Sequence, residues 1–81
     1  MKPSPIVVYP SNVPTNARIT IRASTDHFPE NMYLITDESG KVIRKGSIST
    51  GMKEFCLSVV GMMPGCYRLY VGNVQEKFTV L

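Results

Sequence analysis

His27 is the only histidine in the chain, and it stands in the stretch STDHFPE with Asp26 directly before it. A histidine beside a carboxylate, with hydroxyls nearby, has the residue types of nucleophilic catalysis. A triad also needs a nucleophile fixed on rigid structure and an oxyanion hole, and no Gly-x-Ser-x-Gly elbow is present. The expectation is a surface-loop histidine. Metal chemistry has no better basis: Cys56 and Cys66 lie ten residues apart with one distant histidine, which matches no zinc spacing. Asp26, Glu30, Asp37, Glu38, Glu54 and Glu76 form no calcium loop with a central glycine, and no glycine-rich phosphate cradle follows a strand. No catalytic residue, cofactor or metal site is therefore expected, and the chain reads as a non-enzyme.

The elements that would have to position such residues are short. Apolar clusters of four to eight residues alternate or are β-branched, and Gly, Pro, Asn, Asp or Ser bounds each of them. Strands are expected at Pro5 to Tyr9, Arg18 to Ala23, Asn31 to Thr36, Lys41 to Ser47, Lys53 to Val59, Cys66 to Val71 and Val74 to Leu81. No stretch repeats apolar residues at helical spacing, so helix content should be close to nil. The fold class is all-β, an antiparallel sandwich of about seven short strands.

Three turns set the expected connections. TDESGK puts Asp37, which can bond its own following backbone, at the start of a tight connection and Gly40, free to take positive φ, near its end, which predicts a hairpin. VGMMPGC, with Pro64 and Gly65, has the chemistry of a type II turn joining the fifth and sixth strands. Gly72 and Asn73 suit a two-residue hairpin loop of primed geometry, which pairs the last strand with Cys66 to Val71. Alternation then directs Tyr67, Leu69, Val71, Phe55, Leu57, Val59, Ile19, Ile21, Phe78 and Val80 inward. Cys56 and Cys66, outward on strands read as flanking a hairpin, are open to a cross-strand disulfide or to a plain role as small apolar residues. Met62 and Met63 read as a small exposed apolar turn.

Eighty-one residues make one domain with a thin core, so a deep cleft is hard to build. The composition, 43% hydrophobic and 19% charged, is that of a globular protein. The nine Lys and Arg are scattered, apart from Arg44-Lys45, so the net charge of +3 draws no phosphate-binding stripe and no nucleic-acid partner is expected. Residues 1 to 4 read as a linker residue stretch ahead of a single domain at 5 to 81, with no signal-peptide pattern, as in a module of a longer protein. The apolar finish, Phe78, Val80 and Leu81, contrasts with the polar, frayed ends of most domains.

The order of four segments resembles the C-terminal sorting domain of the type IX secretion system, an Ig-like module at the end of cargo proteins in certain Gram-negative bacteria. VVYPSN is similar to the family's Val-Tyr-Pro-Asn-Pro opening, and YLITDESGKVIRKG to its strand, Asp-x-x-Gly-Lys turn and strand. MMPGCYRLYV is similar to its Pro-x-Gly-x-Tyr element, and EKFTVL to its Lys-x-x-Val ending. Ser11-Asn12, Cys66 and the final Leu81 depart from the family's usual Asn-Pro, Val or Ile, and basic residue.

The resemblance implies recognition roles for Tyr9 and Pro10 at the start of the domain, for Asp37, Gly40 and Lys41 in the central hairpin, for Gly65 and Tyr67 before the penultimate strand, and for Lys77, Val80 and Leu81 at the end. It implies an outer-membrane translocon and a sortase-like surface protease as partners, a parent cargo domain upstream, and often removal of the domain with cargo attached to lipopolysaccharide. Passage through the periplasm to the cell surface, the outer membrane or the medium follows from the same likeness. The competing expectations are an Ig-like or fibronectin-like spacer or adhesion module and a retained surface component of the secretion or signalling machinery. Unpaired sheet edges further lead us to expect a homodimer by edge pairing or strand swap.

Overall fold

A computed structural model describes residues 5–81, and residues 1–4, the expected linker, lie outside them. Eight strands follow one another without a helix: β1 (Ile6–Tyr9), β2 (Asn12–Val13), β3 (Arg18–Ala23), β4 (Met32–Asp37), β5 (Val42–Ser47), β6 (Glu54–Ser58), β7 (Gly65–Val71) and β8 (Val74–Val80). They form a three-stranded sheet in the order β1-β3-β6 and a five-stranded sheet in the order β2-β8-β7-β4-β5. The chain is thus an all-β sandwich, and this strand order is that of an Ig-like one.

The expected strands are all present, and one was missed. β2 has two residues and runs parallel to β8, with Asn12 beside Thr79 and Val13 beside Val80, so the sandwich is not wholly antiparallel. Two residues cannot show an alternation, which is why no pattern announced it. The Tyr9–Pro10 peptide is cis where the chain leaves β1 of one sheet for β2 of the other.

The β6–β7 connection corrects a second expectation. These strands are not a hairpin, because β6 lies in the three-stranded sheet and β7 in the five-stranded one. The tight turn occupies Val59 to Met62, closed by the Met62 N–H donating to the Val59 carbonyl at 3.0 Å, with Gly61 at φ +90° in its third place. Gly65 instead opens β7. Cys56 and Cys66 therefore sit on different sheets, both exposed and both free, and the disulfide reading falls.

The other two turns are built as expected. Gly72 takes φ +61° between Val71 and Val74, which pair directly across the loop, and positive φ at the first of the two loop residues is the primed geometry that matches strand twist. In the β4–β5 turn Gly40 takes φ +89° and its N–H donates to the Asp37 carbonyl at 3.0 Å.

Ile19, Ile21, Val59, Tyr67, Leu69, Val71, Phe78 and Val80 are buried between the sheets, as alternation directs. Each such side chain contributes about 1.5–3 kcal/mol on burial. Phe55 and Leu57 are only half-buried, because β6 is an edge strand and its inner side is incompletely covered. The Phe55 ring is held by Phe28 and Tyr33, each with its centroid 5.4 Å away. Met62 is a core residue and only its neighbour Met63 is exposed, which corrects the reading of both as an exposed turn. Arg44 of β5 reaches across the open side of the sandwich and donates to the carbonyls of Ser58 and Val60, tying one edge strand of each sheet together.

Candidate recognition surface

The final strand is integral to the five-stranded sheet. β7 flanks β8 along its length, and β2 flanks its last residues, where the Thr79 N–H donates to the Ser11 carbonyl and the Leu81 N–H to the Val13 carbonyl, both at 2.7 Å. Phe78 and Val80 face the core. The apolar finish of the sequence is accounted for by this pairing and burial. On its other side Gln75 and Lys77 are exposed and Thr79 is half-buried, and beyond the strand Leu81 is 64% exposed.

The Pro-x-Gly-x-Tyr segment has an equally structural role. Tyr67 near the start of β7 is 7% exposed, stacks on Phe78 with centroids 5.6 Å apart, and donates its hydroxyl to the Met63 carbonyl at 2.5 Å. A tyrosine on this strand that bonds backbone four residues upstream is the tyrosine corner of Ig-like sandwiches. It pins the β6–β7 crossover against the core.

Asp37 closes the central hairpin. Its Oδ1 accepts from the Ser39 hydroxyl at 2.6 Å, the Ser39 N–H at 2.9 Å and the Lys41 N–H at 3.1 Å. The Ser39 hydroxyl, with the two backbone donors and the Lys41 charge, holds its carboxyl below the usual value, against a smaller opposing effect of desolvation. Asp37 stands opposite Tyr67 in the sheet, and residues 37–39 line one shallow depression with Pro64, Gly65, Cys66 and Tyr67. Gly65 in turn pairs with Val80. Asp37, Gly40, Lys41, Gly65, Tyr67, Val80 and Leu81, spread over much of the sequence, thus gather at one end of the sandwich.

Three residues implied by the resemblance lie apart from that end. Tyr9 points from the outer side of the three-stranded sheet and donates its hydroxyl to Glu54 Oε1 at 3.2 Å. Pro10 begins the crossing to β2. Lys77 lies on the outer side of β8, directly opposite Arg68 of β7. His27 is exposed on the β3–β4 loop, where its carbonyl accepts from the Thr25 hydroxyl at 2.9 Å. Among the described residues no group of three or more His, Cys, Asp or Glu is placed to hold a metal ion, and no helix is long and apolar enough to cross a membrane.

Sequence reasoning overlooked the outer side of the five-stranded sheet. Register places Lys77, Arg68, Thr36 and Val42 in one row across four strands, and Gln75, Tyr70, Leu34 and Lys45 in the next. The signal was available: once Gly72-Asn73 is a two-residue loop, counting back from Val71 and forward from Val74 sets Arg68 against Lys77. Compared with models of known protein families the chain matches none, and a comparison with curated proteins likewise finds no match.

Proposed function

We propose that this domain is a sorting signal of the type IX secretion kind, which directs a parent protein through an outer-membrane translocon to the cell surface. The observation that supports this most is the gathering at one end of the sandwich of the central hairpin, the Pro64–Tyr67 segment and the last residues of β8. These are three of the four segments that carry the family resemblance, and Leu81 and the loop residue Met63, 76% exposed, are the apolar groups a receiving surface would meet there. In this reading Tyr67, Gly65 and Val80 act through the fold and Leu81 acts by contact. Removal by a sortase-like surface protease, with cargo passed to lipopolysaccharide, belongs to the same proposal.

A second reading is favoured by the integration of β8: a spacer or adhesion module would finish on an apolar strand for stability alone. The test is export of a reporter fused upstream, in a host with a type IX system and in the same host without it. Leu81→Ser is the discriminating variant, because it keeps the backbone bond to Val13 while removing the exposed side chain. Export that needs the system and falls with Leu81→Ser at unchanged melting temperature supports the sorting reading. Export that ignores the system, or falls only as folding falls, supports the spacer.

A further inference from the structure

We infer that the outer side of the five-stranded sheet is a docking surface for an acidic segment of a partner protein, one whose carboxylates flank apolar side chains. The inference does not depend on the export reading. Arg68 and Lys77 are direct cross-strand neighbours on β7 and β8, an arrangement that destabilises a sheet. Neither has an ion-pair partner: the one salt bridge among the described residues, Arg22 with Glu54, is on the other sheet. Lys45, two strands away in the adjacent row, is likewise without one.

The same row holds a second departure from ordinary sheet chemistry. The Thr36 hydroxyl, next to Arg68, is buried without any hydrogen-bond partner. Two local violations side by side, with no ion pair or hydrogen bond to offset either, mark a site selected for something other than stability.

Charge and apolarity together define the occupant. Between Arg68 and Lys77 on one side and Lys45 on the other lie Tyr70 and Leu34, with Met32, 60% exposed, one row beyond, and a shallow depression runs past Met32, Leu34, Tyr70 and Lys45. A densely charged polyanion such as a polyphosphate or heparin gains little from that apolar floor. The two rows contain no carboxylate, whereas Glu38 and Glu76 line the rim near Arg68 and Lys77, and Glu30 lines the far end. Acidic groups at the ends oppose a long polyanion running across the sheet and favour a short segment with few carboxylates, set over Arg68, Lys77 and Lys45. Carboxylates that flank apolar side chains are a property of protein segments, and complementary charge fixes their register on the sheet.

The probe is a soluble peptide of alternating glutamate and leucine, titrated against the whole isotope-labelled chain with amide shifts as the readout. Saturable shifts on Leu34, Lys45, Arg68, Tyr70 and Lys77 are expected, with binding weakened roughly tenfold in the Arg68→Thr/Lys77→Thr double variant. A heparin fragment and anionic phospholipid vesicles, run beside it, should bind more weakly than the peptide. Shifts confined to other surfaces, equal affinity in the double variant, or tighter binding of heparin or vesicles would overturn the inference. So would a double variant that melts below the parent chain, because the cations would then be stabilising in their own right.

Discussion

The two outer sides of this sandwich treat charge in opposite ways. On the three-stranded side Glu54 of β6 receives Arg22, its cross-strand neighbour on β3, at 3.8 Å and, diagonally from the next row, the Tyr9 hydroxyl of β1 at 3.2 Å, so its carboxylate is met from both other strands. On the five-stranded side Arg68 faces Lys77, Thr36 is orphaned beside them, and no carboxylate enters either row. A domain this small has little stability to spare. That difference teaches where to look for contact: the first surface sets a cation against a carboxylate across its strands, and the second sets two cations against each other.

The largest effects should come from the core that both sides share. Phe78→Ala removes a fully buried ring and its stacking on Tyr67, and a loss of about 3–5 kcal/mol is expected, seen as a largely unfolded chain by circular dichroism. Such a variant would erase the contrast between the two sides altogether. Tyr67→Phe keeps the ring and removes only the bond to Met63, so a loss of about 1 kcal/mol in urea unfolding is expected.

Surface substitutions should then separate the two sides by sign. Glu54→Gln withdraws the charge that Arg22 faces, and destabilisation of up to about 1 kcal/mol is expected, shrinking with added salt. Lys77→Thr on the opposite side relieves repulsion, and a gain of about 0.2–1 kcal/mol is expected in the same assay. Equal signs from the pair would erase the distinction.

The smallest effect concerns the one anion that the five-stranded sheet does satisfy. The folded-state value of Asp37 is depressed below 3.8, so its contribution is present above that ordinary value and is lost as pH falls through the folded-state value. The stability gap between wild type and Asp37→Asn should accordingly narrow in acid, as melting curves taken at neutral and acidic pH would show.

How much of this was legible in the sequence depends on whether the signal was local. Alternation in Arg18–Ala23 and Gly65–Val71 reports burial directly, so seven strands and most core positions could be read. The Asp37–Gly40 and Gly72–Asn73 loops carry their geometry in two or three residues, and they too were readable. Sheet membership is not local. The β6–β7 segment contains Pro64 and Gly65 whether the chain turns back on itself or crosses to the other sheet, and the crossing is set by core packing of Val59, Met62 and Tyr67. The disulfide reading failed with the hairpin it presumed. Of the positions implied by resemblance, Tyr67 proved to carry a corner bond, a role that a lone tyrosine after a turn indicates only once the strand's place in the sandwich is known.

The measurement that bears most directly on the contrast is a double-mutant cycle on Arg68 and Lys77, using Arg68→Thr, Lys77→Thr and the double variant in urea unfolding. The structure predicts a repulsive coupling: whichever threonine substitution comes first stabilises the chain, and the second then adds less than it does alone. A coupling that is attractive or indistinguishable from zero would contradict the reading of this surface as uncompensated.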